Sequence, residues 1–567
     1  MWHAADFHKY RVRYPRNSYA WTAVDYAKRV VAGKVPACWQ IRAACQRMLD
    51  DFNRTDITFS AKYINHACAF VEALVHIKGQ WAGQPIRLEP FQVWIIANIF
   101  GWVRKADGLR RFRSAFILLP RKSGKSLIAA AIALYMTFAD GEPGAEGYCG
   151  ASNLAQANEV FTPAKRMAEL SPHFLDTFGV EVMAKSVFCE TTGQSFVPVI
   201  ARTKDGSSPH LAICDELHQA IDDTQIQAFR TGMGARRQPL LLVISTAGTN
   251  LAGVCRTEQL AAEAVLRGGS IDDKLFAAIW TIDADDDWRD FGSWIKANPA
   301  IGASLSEEFL RDKLNEALQS PAKAAAARTK HLNEWVASAA GWLNQNDWAN
   351  AADPTLDIMA LAGRPAFLAA DLSTKQDLTS INAAVPLDDG RLAIFPWCMA
   401  PEGAVANSPN SSAYAEWVER GDLIQTPGSA SSFAEAEERL EWLRQHFDVR
   451  VAVFDQWQGE AVRQRYEAAG VPTMIWQANN RGAWTMAMDD FEADLKNGLV
   501  VHPGNAVLDW CAANICASTR GVTRIPVKPS GQDHLKIDAM VATIMAYAAA
   551  SVEPPPARAD IALEFWD

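Results

Sequence analysis

Ala115-Phe116-Ile117-Leu118-Leu119-Pro120-Arg121-Lys122-Ser123-Gly124-Lys125-Ser126 decides how this chain folds: an apolar strand runs into Gly-Lys-Ser, and a helix-forming segment, residues 127–138, follows. In that order the parts make a cradle for a nucleotide triphosphate. Backbone N–H groups and a helix N-terminus hold phosphate oxygens, a Lys neutralises the outer phosphates, and a Ser hydroxyl ligates Mg²⁺. Lys122, Ser123 and Gly124 form the loop, and Lys125 and Ser126 supply the charge and the metal ligand. Leu119 stands where the usual pattern has a Gly, five positions before Gly124. Taken out of context, Gly-Lys-Ser is an exposed turn capping an Ala-rich helix; the strand, loop and helix in sequence favour phosphate binding. Arg121 adds a cation that can reach the γ-phosphate, or else is simply solvated.

Length and composition bound the rest. A chain of 567 residues is too long for one core, which predicts two or three domains, and an apolar content of 49% supports folded ones. No run of 18 apolar residues lacks polar interruption, and Met1 to Asp6 has no signal-peptide core, so a cytosolic protein without a membrane partner is expected. Ten scattered Cys include no C-x-x-C pair, which argues against zinc sites and a disulfide framework. The net charge of −10 excludes a protein that coats nucleic acid over its whole surface, but leaves room for a local basic track. Arg104, Lys105, Arg110, Arg111 and Arg113 form one cluster, predicted to be a solvated face.

Continuous apolar runs at 115–119, 211–214 and 240–244 suit buried parallel strands with helices between them. Ser304-Leu305-Ser306-Glu307 reads as a capping box from Ser304, followed by Leu310, Leu314 and Leu318 until Pro321 stops the helix. A second α/β pattern starts at Ala366 and runs through 391–396 and 449–454 to a last helix near 538–550. The expected division is an N-terminal extension with the ATPase core at 1–250, a helical lid at 251–335, a linker at 336–362, a second α/β domain at 363–552 and an extended tail at 553–567.

His210-Leu211-Ala212-Ile213-Cys214-Asp215-Glu216 is an apolar strand ending in two carboxylates. Asp215 can hold Mg²⁺ through water, and Glu216 can polarise the attacking water as a general base; the alternative is a helix cap. Ser245-Thr246-Ala247-Gly248-Thr249-Asn250, after a third strand, suits a loop that senses the γ-phosphate, and equally a plain turn. Gln92, in Leu88-Glu89-Pro90-Phe91-Gln92, offers an amide to an adenine edge.

The combination of Pro90-Phe91-Gln92, Pro120 to Ser126, Cys214-Asp215-Glu216 and Ser245-Thr246-Ala247-Gly248 resembles the large terminase subunit of tailed bacteriophages, as do Trp294-Ile295-Lys296-Ala297-Asn298-Pro299 and His331-Leu332-Asn333-Glu334-Trp335. The resemblance spans about residue 20 to residue 550. It implies an α/β fold: a P-loop NTPase domain with a helical lid subdomain, followed by an RNase H-like nuclease domain. It makes Arg121 the P-loop arginine, Lys125 and Ser126 the phosphate and metal residues, and Glu216 the catalytic carboxylate. An arginine from a neighbouring subunit completes such sites, with Arg236 or Arg237 as candidates.

Asp371 and Asp455 each follow an apolar run, and Asp538 opens the last helix, whose expected buried stripe is Ile537, Val541, Ile544 and Met545. If the two runs are neighbours in one sheet, Asp371, Asp455 and Asp538 form a cluster of hard oxygen ligands suited to Mg²⁺ or Mn²⁺. Two ions about 4 Å apart would activate a water and stabilise a leaving 3′ oxygen. For each acid alone, a cap or a solvated loop end is the simpler role. The spacing resembles an RNase H-like nuclease, and that resemblance makes Asp377, Asp533 and His534 outer helpers. Lys536, two residues before Asp538, would set a positive charge near the metal or face phosphate.

The function so implied is ATP-driven translocation of double-stranded viral DNA into a procapsid, with metal-dependent cleavage of the concatemer. ATP and Mg²⁺ are the implied cofactors. The implied partners are double-stranded DNA, a portal protein and a small terminase subunit, met by a free monomer that forms a pentameric ring on the portal in the host cytoplasm. Phe565 and Trp566 in the tail are candidates for docking on that portal. A helicase-type DNA translocase is the alternative; it would repeat an ATPase-like core, and the second half has no further Gly-Lys-Ser.

Overall fold

The computed structural model describes residues 14–151, 154–200, 207–319, 321–336, 341–373, 377–431, 433–456, 459–529 and 533–551. The expected tail at 553–567, with Phe565 and Trp566, lies outside the described residues. Two compact units divide at Ala339/Ala340. Among the described residues no helix is long and apolar enough to cross a membrane.

Among the described residues the main sheet of the first unit has eight strands: β1 (Ser114–Leu118), β2 (Glu146–Ala151), β3 (Glu181–Val182), β4 (Val187–Cys189), β5 (Gln194–Ile200), β6 (Leu211–Asp215), β7 (Leu240–Ser245) and β8 (Leu275–Ile279). Their order is β8-β1-β7-β6-β2-β5-β4-β3. Neighbours from β8 to β5 are parallel, while β5-β4 and β4-β3 are antiparallel. Every residue of β6 and β7 is buried, which explains why these strands read as unbroken apolar runs. β8 is a finding beyond the sequence pattern: the segment 251–335 is mainly helical, yet it also supplies this strand beside β1.

Helix α1 (Pro90–Gly101) starts with Glu89 and Gln92 in a reciprocal capping box and is buried along almost its whole length. Helix α2 (Lys125–Leu134) follows β1 directly, with Gly124 at φ 79° as its N-cap. Helix α3 (Glu307–Leu318) is capped by Ser306, whose Oγ accepts from Phe309 N at 3.1 Å, rather than by Ser304. Ser304 Oγ instead donates to the Lys122 carbonyl at 3.2 Å, so the first serine serves the phosphate loop and the second the helix. A further helix begins at Pro321, consistent with proline's fitness for a first helical turn.

The basic cluster is a solvated face only in part: Lys105 is exposed and Arg104 and Arg113 are partly so, but two of its arginines are buried. Arg110 and Arg111 are only 3% and 2% exposed. Arg110 pairs with Asp140 at 3.3 Å, and Arg111 lies between Asp51 at 2.5 Å and Asp273 at 2.6 Å. Each guanidinium meets a carboxylate brought from a distant segment, which a one-dimensional charge run does not reveal.

The second unit carries a sheet of β9 (Pro365–Asp371), β10 (Thr379–Pro386), β11 (Leu392–Pro401), β12 (Leu423–Thr426), β13 (Asp448–Asp455), β14 (Thr473–Trp476) and β15 (Val500–Val501), ordered β12-β11-β10-β9-β13-β14 with β15 beside β11. β9 is antiparallel to β10 and parallel to β13. A separate hairpin joins β16 (Cys516–Arg520) to β17 (Thr523–Val527). Residues 341–362 pack within this unit: Trp342 N donates to Ile515 O at 2.8 Å, and Asp353 N to His502 O at 2.8 Å.

Helix α4 (Asp538–Ser551) crosses β9 and β10. Asn382, fully buried on β10, donates to Ala539 O at 3.0 Å and Thr543 Oγ1 at 2.6 Å. The expected single stripe is incomplete: Ile544 and Met545 are buried, Val541 is only partly so, and burial extends round most of the helix. The sheet covers one side, and the helices Arg481–Lys496 and Ala506–Asn514 cover others.

Replacing Arg111 with Met should leave Asp51, among the described residues, with only a 3.6 Å ion pair to Arg54. Losing one partner of such a buried pair costs about 3 kcal/mol. A lower thermal midpoint for the first unit is expected; an unchanged midpoint would contradict the structural role given to this pair.

Candidate active sites

The first site lies at the C-terminal ends of β1, β6 and β7. The register pairs Leu118 with Ser245 and Asp215 with Ile244, so the loops leaving the three strands emerge at one level. Lys125 is 8% exposed; its Nζ donates to Leu119 O at 3.0 Å and lies 3.9 Å from Glu216 Oε1. Burial lowers the Lys125 ammonium to about 8 against the pull of Glu216 and Asp215. Ser123 Oγ is buried and has no hydrogen-bond partner among the described residues, an orphan group suited to a phosphate oxygen. Ser126 is partly buried in the first turn of α2, and Lys122 and Arg121 are exposed.

Lys122 has φ 70° and Glu216 φ 49°, both in the left-handed region that non-glycine residues rarely adopt. The two strained residues flank the same pocket. Burial, then the Glu216 charge, raises the Asp215 carboxyl to about 7. Glu216 is held at about 2: burial acts to raise it, but His218, Lys125 and Thr246 outweigh that effect. Its Oε2 lies 3.1 Å from His218 Nδ1 and accepts from Thr246 Oγ1 at 3.2 Å, while Oε1 faces Lys125. One carboxylate oxygen is therefore fixed, and the other is directed toward the cradle.

His218 was not singled out from sequence, although Asp215-Glu216-Leu217-His218 places it one short turn past the acids. Its Nδ1 also lies 3.1 Å from Ser245 Oγ. Gly248 leaves room for it, since a Cβ there would come within 3.0 Å of His218 Cβ. Gln92 has its amide oxygen on the Glu89 N–H at 2.9 Å, and its amide nitrogen stands near Gly124. Arg236 is engaged within its own unit, donating to Ser208 O at 2.8 Å and Gly144 O at 2.9 Å, whereas Arg237 is exposed.

The second site lies on the other sheet. Parallel pairing aligns Ala370 with Phe454, so Asp371 and Asp455 leave β9 and β13 at the same edge, and Asp538 is the first residue of α4, which packs on β9. Burial raises Asp371 well above the carboxylate range, with further contributions from Asp538, Asp455 and Asp377. Asp538 is raised by burial and then by Asp377, and its Oδ2 is buried without a hydrogen-bond partner among the described residues. Mutually repelling acids with an orphan oxygen fit a divalent cation of the Mg²⁺ type.

Asp377 accepts from Lys536 at 2.7 Å and from Lys528 at 3.2 Å. Burial opposes its ionisation, but the two lysines hold it below the usual range. Lys536 therefore faces Asp377, and Lys528, just past β17, was missed because a lone lysine in a polar segment carries no signal. Asp533 is exposed, and His534 accepts at its carbonyl from Asn410 at 2.8 Å. Among the described residues, a tighter acidic group, with ligand oxygens within 4.8 Å of one another, is Asp283, Asp285 and Asp286. Lys296 pairs with two of the three, at 3.1 Å from Asp283 and 2.5 Å from Asp286, and Arg42 also pairs with Asp283 at 3.1 Å.

A nucleotide-binding sheet and an acid-edged RNase H-like sheet on one chain define an ATPase joined to a nuclease. The model for "Terminase large subunit, ATPase domain" matches residues 90–264, and that for "Terminase large subunit, endonuclease domain" matches residues 270–553. The second match begins before β8, a strand of the first sheet. Protein YmfN of Escherichia coli strain K12 is 32% identical over 358 residues, covering 61% of this chain and 78% of its own. The large terminase subunit of Enterobacteria phage HK97 is 27% identical over 498 residues, covering 86% and 95%. The crystal structure of the HK97 large terminase aligns with TM-score 0.48 and 26% identity over 86% of this chain and 99% of that one.

The chain belongs to the large terminase subunit family. It is an ATPase and an endonuclease that packages viral DNA and cuts the concatemer. The helicase alternative finds no support in these matches.

The lowered Lys125 gives a signed pH dependence. As pH rises through about 8 the nucleotide-free protein loses this cation, so the association constant for ATP should fall, by up to about ten-fold per pH unit, until the bound-state value is reached. Titration with a fluorescent ATP analogue between pH 7 and 9.5 measures this; constant affinity would contradict it.

Proposed function

We propose that the two sites divide the work of a packaging motor as follows, and that the convergence of Lys125, Asp215, Glu216 and Thr246 at three adjacent parallel strand ends carries the assignment. Gly124, Lys125 and the N-terminus of α2 receive the triphosphate, and the unpaired Ser123 hydroxyl adds a donor. Ser126 and Asp215 hold Mg²⁺ with the nucleotide, and Gln92 borders the pocket beside Gly124. Glu216 accepts the proton of the attacking water through Oε1, because Oε2 is occupied by His218 and Thr246. Arg121, exposed at the mouth, meets charge developing on the γ-phosphate.

In the second unit Asp371, Asp455 and Asp538 hold Mg²⁺, for which Mn²⁺ can substitute. Bound there, the metal supplies an activated water and stabilises the leaving 3′ oxygen. Asp371 and Asp455 orient from rigid strand ends, Asp538 closes the cluster from α4, and Lys528 with Lys536 fixes Asp377 beside it.

Double-stranded DNA is what the first unit moves at the expense of ATP and what the second unit cuts. It is gripped mainly through its phosphates, so binding should weaken steeply with salt. The working form is a homo-oligomeric ring, a pentamer on the portal protein, assembled from monomers with a small terminase subunit that selects the genome. It acts in the host cytoplasm and transiently at the procapsid. Arg237 is the better candidate than Arg236 to act across subunits, since Arg236 is already held.

Lys125→Ala should abolish ATP turnover and spare metal-dependent cutting of linear and supercoiled DNA, and Asp455→Ala should do the reverse. Loss of both activities in both variants would refute two separable sites.

A further inference from the structure

Arg328–Leu332 and its C-cap Asn333 touch the ATP pocket from two sides. Arg121 N, in the phosphate loop, donates to Lys330 O at 2.9 Å. Ala247 N, in the loop after β7, donates to Asn333 Oδ1 at 2.7 Å. Asn333 is 1% exposed and sits at φ 60°, ψ 33°, a left-handed conformation that asparagine tolerates better than most residues. Its Nδ2 donates to Trp280 O at 2.7 Å, and its own carbonyl accepts from Thr281 Oγ1 at 3.2 Å. Both groups lie just past β8, and Trp280 N in turn donates to Leu118 O, at the end of β1, at 2.9 Å. One buried carboxamide thus joins the loop after β7 to the backbone leaving β8.

Ala247 is the neighbour of Thr246, which hydrogen-bonds Glu216. A chain of contacts therefore runs from Asn333 through Ala247 and Thr246 to Glu216, and Lys330, three residues before Asn333, holds the backbone of Arg121. Anchorage behind it is firm: Asn298 Nδ2 donates to His331 O at 2.8 Å, and Arg328 pairs with Glu334 at 2.9 Å. Neither side-chain bond of Asn333 is needed merely to end a helix, for which a left-handed backbone suffices.

We propose that Asn333 is a positioning residue for ATP hydrolysis: its carboxamide locks the loop 245–248 so that Thr246 aligns Glu216, and so links the hydrolytic carboxylate to the segment 280–335. This rests on Glu216 being the base. Because the contact reaches the carboxylate and not the triphosphate-binding groups, its loss falls on turnover and not on nucleotide affinity.

Asn333→Gly keeps the left-handed backbone and removes both side-chain bonds. Expected is a fall in kcat of about ten-fold or more, with KM and the affinity for a fluorescent ATP analogue within about two-fold of wild type. Asn333→Asp, which retains an oxygen for the Ala247 N–H, should recover part of the lost kcat. Wild-type kcat in Asn333→Gly, or an equal loss of binding and turnover, would overturn the proposal. Glu216→Gln run alongside separates the two ideas: residual turnover there would refute the base assignment, whatever Asn333 does. If Asn333→Gly does not fold, amide exchange on the wild-type chain decides. A non-hydrolysable ATP analogue should change protection of 245–250 and 328–335 together, and a change in one segment alone would overturn the link.

Discussion

Parallel register is the constraint on which the first site depends. Because β1, β6 and β7 run the same way and stay in step, Leu118, Asp215 and Ser245 end at one level, and the residues after them are delivered to one small volume. The phosphate loop, the two carboxylates and the Thr246 loop are otherwise far apart in sequence. Buried apolar strands leave little freedom to slip, since a one-residue shift would turn each side chain to the opposite face. The cost of gathering charge there is visible in the strained Lys122 and Glu216 backbones and in the displaced ionisation of Lys125 and Asp215.

The second sheet solves a related problem with fewer parts. β9 and β13 deliver Asp371 and Asp455 to one edge, and α4 brings Asp538 from a different direction. Acids gathered at one sheet edge repel one another, as the raised Asp371 carboxyl shows, and a bound cation would relieve that repulsion. Asp377, bound by Lys528 and Lys536, keeps its charge beside them. The contrast with Asp283, Asp285 and Asp286 is instructive: those acids are closer together, but Lys296 and Arg42 already pair with two of them.

Much of this architecture was legible in the residues themselves. Continuous apolar runs marked β1, β6, β7, β9 and β13 because buried parallel strands need no alternation, and the acids or the Gly-Lys-Ser at their ends marked the edges. What stayed hidden depends on partners distant in sequence. β8 is a five-residue run, Leu275–Ile279, that periodicity cannot distinguish from a buried helix segment. Arg110 and Arg111 look like surface charges until Asp140, Asp51 and Asp273 are brought to them. The cap of α3 moved from Ser304 to Ser306 because the first serine bonds the phosphate loop. His218, Asn333 and Lys528 take their meaning from the groups they touch, and no spacing rule along the chain announces such contacts.

The most direct test of two separate metal-dependent centres is anomalous diffraction from crystals of the full chain grown with Mn²⁺ and a non-hydrolysable ATP analogue. The account predicts manganese at the nucleotide beside Ser126 and Asp215, and again among Asp371, Asp455 and Asp538. Manganese confined to Asp283, Asp285 and Asp286, or lying away from both strand edges, would contradict it.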